Sequence, residues 1–210
     1  MGDSMSTIIN ATTTNGVVIQ PDNSGSLVLQ TNSGTTALTI DTSQNATFAG
    51  TLTATGKLVS SSMPTGSVLQ VVQGTTNTDT TITSTTYADT TLTASITPSA
   101  SSSKILVIVS QSFIIYRETT SARGKIRIVR SSTSIAESSD LPAINAATAG
   151  GSVFYRGNWG MSYLDSPSTT SSTTYKTQAA VIDTTANEHQ IRLQQDGTKL
   201  STIILMEIAA

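Results

Sequence analysis

With 210 residues, of which 37% are hydrophobic and 11% charged, the chain is long enough to close one apolar core and carry an extension. It is neither a highly charged disordered polymer nor a membrane-spanning one. A formal net charge of −2 offers no basic footprint for nucleic acid or an anionic membrane, and the absence of cysteine removes disulfides, thiolate metal sites and a cysteine nucleophile.

The opening residues, Met1-Gly-Asp-Ser-Met5, contain no basic segment followed by an apolar run, so no secretory leader or anchor is read in them. From Gly16 a short word recurs: Val18-Ile19-Gln20 closed by Pro-Asp-Asn-Ser-Gly25, then Val28-Leu29-Gln30 closed by Thr-Asn-Ser-Gly34. A weaker copy follows at Ala37-Leu38-Thr-Ile40-Asp41, then Ala46-Thr-Phe48 and Leu52-Thr-Ala-Thr-Gly56. Asn, Asp, Ser and Gly suit tight turns, so each word reads as a short strand with its turn. Strands this short cannot bury a core within one chain. Val18, Ile19, Val28, Leu29, Leu38 and Ile40 are therefore the candidate oligomer-interface residues, expected to meet the same residues of identical chains. Residues 1–60 form this segment, and 61–67, with Ser60-Ser-Ser-Met-Pro64 leading in, read as a neck.

Residues 68–210 hold longer words. Val68 to Gln73, Thr80 to Ser84 and Thr90 to Ile96 come first. Lys104 to Tyr116 is the longest apolar run, and its adjacent Ile and Val residues favour a central strand over a helix. In Lys125 to Arg130 the isoleucines alternate with charges, which marks a half-buried strand. Ser134 to Glu137, Ser152 to Arg156, Trp159 to Leu164, Thr174 to Ile182 and His189 to Gln195 continue the series. Asp196-Gly197 predicts a hairpin into the final apolar run, Ser201 to Ala209. The whole reads as all-β: a short repetitive N-terminal segment followed by an antiparallel β-sandwich of jelly-roll type.

Gly66-Ser-Val-Leu-Gln-Val-Val-Gln73, Ser95-Ile-Thr-Pro-Ser99 with Ser103-Lys-Ile-Leu-Val107, Tyr163-Leu-Asp-Ser-Pro167 with Thr174-Tyr-Lys176, and Ser201-Thr-Ile with Met206-Glu-Ile208 resemble the C-terminal knob of tailed-phage fibre-like virion proteins. Leu38-Thr-Ile-Asp41 and Phe48-Ala-Gly50-Thr resemble their shaft segments. The resemblance implies a homotrimeric virion appendage, made in the host cytoplasm. Its N-terminal segment would contact other virion proteins and its knob a host surface glycan or protein. Two further readings are a capsid decoration or head-fibre protein and a small carbohydrate-active enzyme of tailspike type.

Little in the sequence points to catalysis. His189 is the single histidine, without a Gly-x-Ser-x-Gly elbow, and reads as a packed side chain. Glu118, Glu137, Asp140 and Asp165 lie in or beside expected loops, where a glycan-cleaving pair would be sought, but no spacing pairs them. Asp165-Ser-Pro167 reads as a turn. No ligand spacing for a metal and no cofactor motif is present, so no catalytic residue, metal or cofactor is assigned. Trp159, Met161 and Tyr163 alternate on one strand face and are expected in the core. Recognition is expected from polar loops instead, with Arg117, Glu118, Arg123, Asn145 and Asp165 as the candidate receptor-binding residues.

Overall fold

A computed structural model describes residues 25–31, 34–50, 63–117, 121–138, 140–141, 152–182 and 189–210. Val18, Ile19, Glu118 and Asn145 lie outside these residues. The chain divides into two units, Met1–Lys57 and Leu58–Ala210.

In the first unit, strands β1 (Leu27–Thr31), β2 (Thr35–Ile40) and β3 (Ala46–Phe48) form an antiparallel meander. Asp41 shapes the second turn: its Oδ1 accepts hydrogen bonds from the backbone N–H groups of Ser43 and Asn45, both at 2.9 Å. Residues paired across strands share a sheet face. The register therefore stacks Leu27–Ile40–Ala46 and Leu29–Leu38–Phe48 as two apolar rows on one face, while Val28 joins Thr39 and Thr47 on the other. Val28 and Leu29, both interface candidates, therefore face opposite sides of the sheet.

The second unit begins at the neck, where Gly66 N and Ala209 N donate to Ala209 O and Ser67 O. Its strands are β4 (Val68–Thr76), β5 (Thr80–Ile82), β6 (Ala88–Ile96), β7 (Lys104–Arg117), β8 (Gly124–Arg130), β9 (Thr133–Glu137), β10 (Val153–Asp165), β11 (Thr173–Val181), β12 (His189–Leu193) and β13 (Ser201–Ile208). Strand β7 organises one sheet. Along one side it pairs with β10 from Ile105 to Arg117; on the other, β13 takes its first half and β12 its second. Strand β4 then flanks β13, and β5 flanks β12. The second sheet has the order β6-β11-β8-β9. Treating β4 with β5 and β12 with β13 as two interrupted strands leaves four lanes per sheet. The chain passes repeatedly between the sheets, which is the jelly-roll arrangement.

Alternation of buried and exposed positions directs the core. Leu92, Ala94 and Ile96 of β6 face inward while Asp89, Thr91, Thr93 and Ser95 face out. Ile105, Val107, Val109, Ile203 and Leu205 from the first sheet join Leu92, Ile126, Ile128 and Tyr175 from the second in one cluster. Trp159 belongs to this cluster at 7% exposure, and Met161 packs against it. Tyr163, on the same face nearer the strand end, stays 39% exposed, so the core ends short of it.

The Asp196-Gly197 hairpin does not form. Both β12 and β13 run antiparallel to β7, so they continue in one direction, joined through a 3-10 turn at Gln195–Gly197. The turn signal was local. The 14-residue β7 is long enough to take both strands end to end along one edge.

Candidate functional site

The sandwich has two distinct ends. At one, Arg117 pairs with both Val153 and His189, and Val181 pairs with Gly124. At the other, Asp165 pairs with Ile105, close to the neck. Twelve strand residues separate the ends, about 40 Å at the usual rise. Of the described candidate recognition residues, Arg117 and Arg123 thus lie at one end and Asp165 at the other.

Arg117 is not a loop residue; it ends β7 at 2% exposure, covered on both faces of the strand. Arg123 is on the surface and pairs with Asp140 at 3.6 Å. Asp165 is neither a turn residue nor a free acid. It is 5% exposed, its Oδ1 and Oδ2 accept from Arg130 Nη1 at 2.8 and 2.9 Å, and Oδ2 accepts the Tyr175 hydroxyl at 2.7 Å. Glu137 Oε1 accepts the Tyr87 hydroxyl. Each acid described here is therefore engaged by a neighbour. His189 is 2% exposed on β12.

The outer faces of the two sheets differ in kind. On the β6-β11-β8-β9 sheet, Asp89 accepts from Lys176 Nζ at 2.8 Å and Gln178 Nε2 at 2.7 Å, and Arg127 donates to Gln178 Oε1. Arg127 and Lys125 also lie over the Tyr87 ring, at 3.8 and 4.6 Å. The face of the β7 sheet is instead apolar toward the neck. One row reads Val71–Met206–Leu106–Leu164, and the next carries Ile204–Ile108. Val71 is 56% and Leu164 51% exposed. An apolar stripe across four strands is what a contact face requires, and scattered single apolar residues would not make one.

Farther along the same face lies a cavity of about 330 Å³, lined by Ser112, Ile114, Arg156, Asn158, Gln194 and Gln195, with Lys199 at its edge. It exists because the β12–β13 lane is broken there. Leu193 pairs with Phe113 and Thr202 with Ser110, so Gln111 and Ser112 face an excursion rather than a strand. Left-handed backbone at Gln194 and Asp196, φ 53° and 67°, throws the chain outward. Ser201 Oγ bridges the break, accepting from Ser112 N at 3.1 Å and Gln194 Nε2 at 2.8 Å. A matching break between β4 and β5 supports it, with Asn77 Nδ2 donating to Gly197 O at 3.1 Å. A Cβ at Gly157 beside it would come within 2.7 Å of Phe113 Cζ, so the ring would have to shift.

Above the cavity the face is aromatic and basic. The Tyr116 and Phe154 rings lie 5.0 Å apart, Arg192 is 4.8 Å over Tyr116, and Arg156 is 5.8 Å over Phe154. None of Asn158, Gln194 or Lys199 stands out in the sequence. The available signal was the polar Gln194-Gln195-Asp196-Gly197 interruption, which also fits a hairpin.

These features define a class: a jelly-roll β-sandwich preceded by an amphipathic β-meander, with an exposed apolar stripe and a small cavity on one sheet face. No protein-family model matches the chain, and no curated protein is similar to it in sequence. Among solved structures it is similar to a mutant VP2 protein of infectious bursal disease virus in derived T=1 particles, and to the structure of the Gx strain of that virus. Identity is 12% and the TM-score 0.28 in both, over 67% of this chain and 36% and 37% of those chains. The chain thus spans about a third of the length of those proteins. Likeness this distant bears on neither partner nor activity.

Proposed function

We propose that the chain is a self-associating structural protein of a virion, a short homotrimeric fibre-like appendage. The meander serves as its shaft and the jelly roll as its knob. The observation that carries this reading is the meander's apolar face, where Leu29 and Phe48 remain 43% and 45% exposed. Among the described residues this three-stranded sheet has no second layer of its own, so another chain would take this face out of water, and an identical chain supplies the same rows. The apolar stripe Val71–Met206–Leu106–Leu164 supports association of the knob by the same reasoning. Three is the number that the resemblance to phage fibre proteins implies. The strand ends at Arg117, Val153, Val181 and His189 lie at the end of the sandwich opposite the neck, and such an end of a rigid scaffold is suited to face a host surface.

Sedimentation of the full-length protein at micromolar concentration tests the assembly, and a trimer is expected. A monomer at that concentration would overturn it. Immunogold labelling of intact particles tests the virion assignment, with label expected on an appendage.

A further inference from the structure

We propose that the free edge of β10 is a twofold contact surface, where a second copy of this chain adds its own β10 antiparallel and continues the β7 sheet across both molecules. The edge itself is the first support. Strand β10 runs 13 residues and pairs with β7 from Val153 to Asp165 without a register shift, while among the described residues no strand pairs with its other side. The other outer strands of the sandwich are blunted. β5 and β9 are 3 and 5 residues long, and the ladders of β4, β6 and β9 are each interrupted by a register shift. β10 contains neither Lys nor Pro, and its two charged residues are Arg156 and Asp165, the latter held by Arg130. A long, regular, apolar edge is a template for another strand, because its outward N–H and C=O groups are left to water.

The pattern of exposed side chains is the second support, and it selects β10 itself as the partner. Tyr155 and Tyr163 are on the core-facing side, yet both stay exposed, as do Phe154 and Leu164 on the outer side. Two antiparallel copies centred on Trp159 set Tyr155 of one opposite Tyr163 of the other, and Phe154 opposite Leu164, in both halves of the contact. Arg156 then faces Ser162, and no like charges meet. A slip of two residues loses this match: one way it sets Phe154 against Ser162, the other way Leu164 against Arg156. The centred register also joins the apolar rows, because Val71–Met206–Leu106–Leu164 of one copy runs on into Phe154 and Tyr116 of the other. Such self-complementarity is what a twofold contact requires. Thirteen residues a side is fewer than the roughly 20–30 of a standard interface, so the contact forms above micromolar concentration. It lies wholly in the second unit and goes beyond the meander-based assembly.

The test is sedimentation of the full-length protein from about 5 to about 500 µM, over which the weight-average mass is expected to rise at least about twofold. Two double variants read the register. Tyr155→Lys with Tyr163→Glu sets opposite charges against each other across the dyad, and Tyr155→Lys with Tyr163→Lys sets like charges there. The like-charged variant is expected to self-associate at least about tenfold more weakly than the other. Asn158→Cys with Gly160→Cys checks the same register with both tyrosines intact. These positions oppose each other in the dyad, a Cβ at Gly160 meets nothing closer than 3.9 Å, and the chain has no cysteine of its own. Directly opposed antiparallel residues are close enough for a disulfide, so oxidation at the higher concentration is expected to link chains in pairs. A mass that does not change with concentration, equal association of the two charge variants, or no linked pair would each overturn the proposal. A protein that is monomeric at about 5 µM and pairs at about 500 µM would leave it intact while removing the homotrimer reading, and a trimer whose mass does not change would do the reverse.

Discussion

Arg130 on β8 and Asp165 on β10 join the two sheets at the neck end of the sandwich, Arg130 Nη1 reaching both carboxylate oxygens at 2.8 and 2.9 Å. The Tyr175 hydroxyl completes the cluster from β11. Burial, and then the hydrogen bond to Asp165, push ionisation of that hydroxyl well above the ordinary tyrosine range, so it remains a donor at any physiological pH.

Removing Asp165 strands a partly buried guanidinium and a fully buried phenol. Asp165→Ala is expected to destabilise the second unit by about 3 kcal/mol, the lower end for breaking a buried pair because Arg130 keeps some solvent contact. Asp165→Asn keeps an acceptor and should cost less. Urea unfolding of the variants measures both. An unchanged midpoint together with lost cell attachment would return Asp165 to recognition.

Glu207 predicts the acid limb of stability. It faces the core at 0% exposure, where Gln70 Nε2 donates to Oε2 at 2.6 Å and Ser99 N and Oγ donate to Oε1 at 2.7 and 2.6 Å. Burial pushes the carboxyl up, but the hydrogen bonds from Ser99, Gln70 and Ser103 together outweigh it and hold it below its ordinary value of 4.5. A carboxyl lowered by folding stabilises the fold above its unfolded pKa, and that contribution is lost as pH falls through the folded value. Melting temperature should therefore drop on acidification below about pH 4.5, less steeply in Glu207→Gln than in the parent. Identical slopes would show that other carboxylates carry the effect.

Gly74 allows β4 to close against β6. A Cβ at this position would lie 2.1 Å from the Thr93 carbonyl oxygen, which is backbone and cannot swing aside. Gly74→Ala is expected to cost about 1–3 kcal/mol by overpacking. Trp159→Ala, which empties a core position instead, is expected to cost about 3–5 kcal/mol. Thermal unfolding separates these from Lys199→Ala, for which no change is expected.

The sandwich was legible where apolar runs are long. Lys104–Arg117 and Ser201–Ile208 read as strands because β-branched residues sit side by side in them, and both pair as central lanes. What was not legible depends on strand lengths elsewhere: Asp196-Gly197 has hairpin chemistry, but where β13 goes is set by the reach of β7. Charged residues at strand ends were misplaced for a related reason. Nothing local to Asp165 announces Arg130, which lies 35 positions away and on the other sheet. The cavity was hidden because its polar side chains become a set only when two strand breaks fall side by side.

The meander offers the sharpest test of assembly, because parity divides its apolar residues. Leu29, Leu38 and Phe48 form one row across three strands, with Leu27 and Ile40 beside them, whereas Val28 faces the other way with Thr39 and Thr47. Val28 is 44% exposed and Leu29 43%, so exposure alone does not distinguish them. If identical chains close around the apolar face, replacing Leu29, Leu38 and Phe48 together by Ser removes about 2 kcal/mol of burial for each side chain in each chain. The oligomer should then dissociate at lower temperature or in less detergent. Val28→Ser should leave its resistance unchanged, since the opposite face is already polar. In neither case should the jelly roll's own unfolding move, because its core contains none of these residues. Sedimentation and thermal melts of both variants decide the matter: equal weakening by Val28→Ser and by the triple replacement would mean that both faces are buried on assembly, and no weakening by either would place the contact elsewhere in the chain.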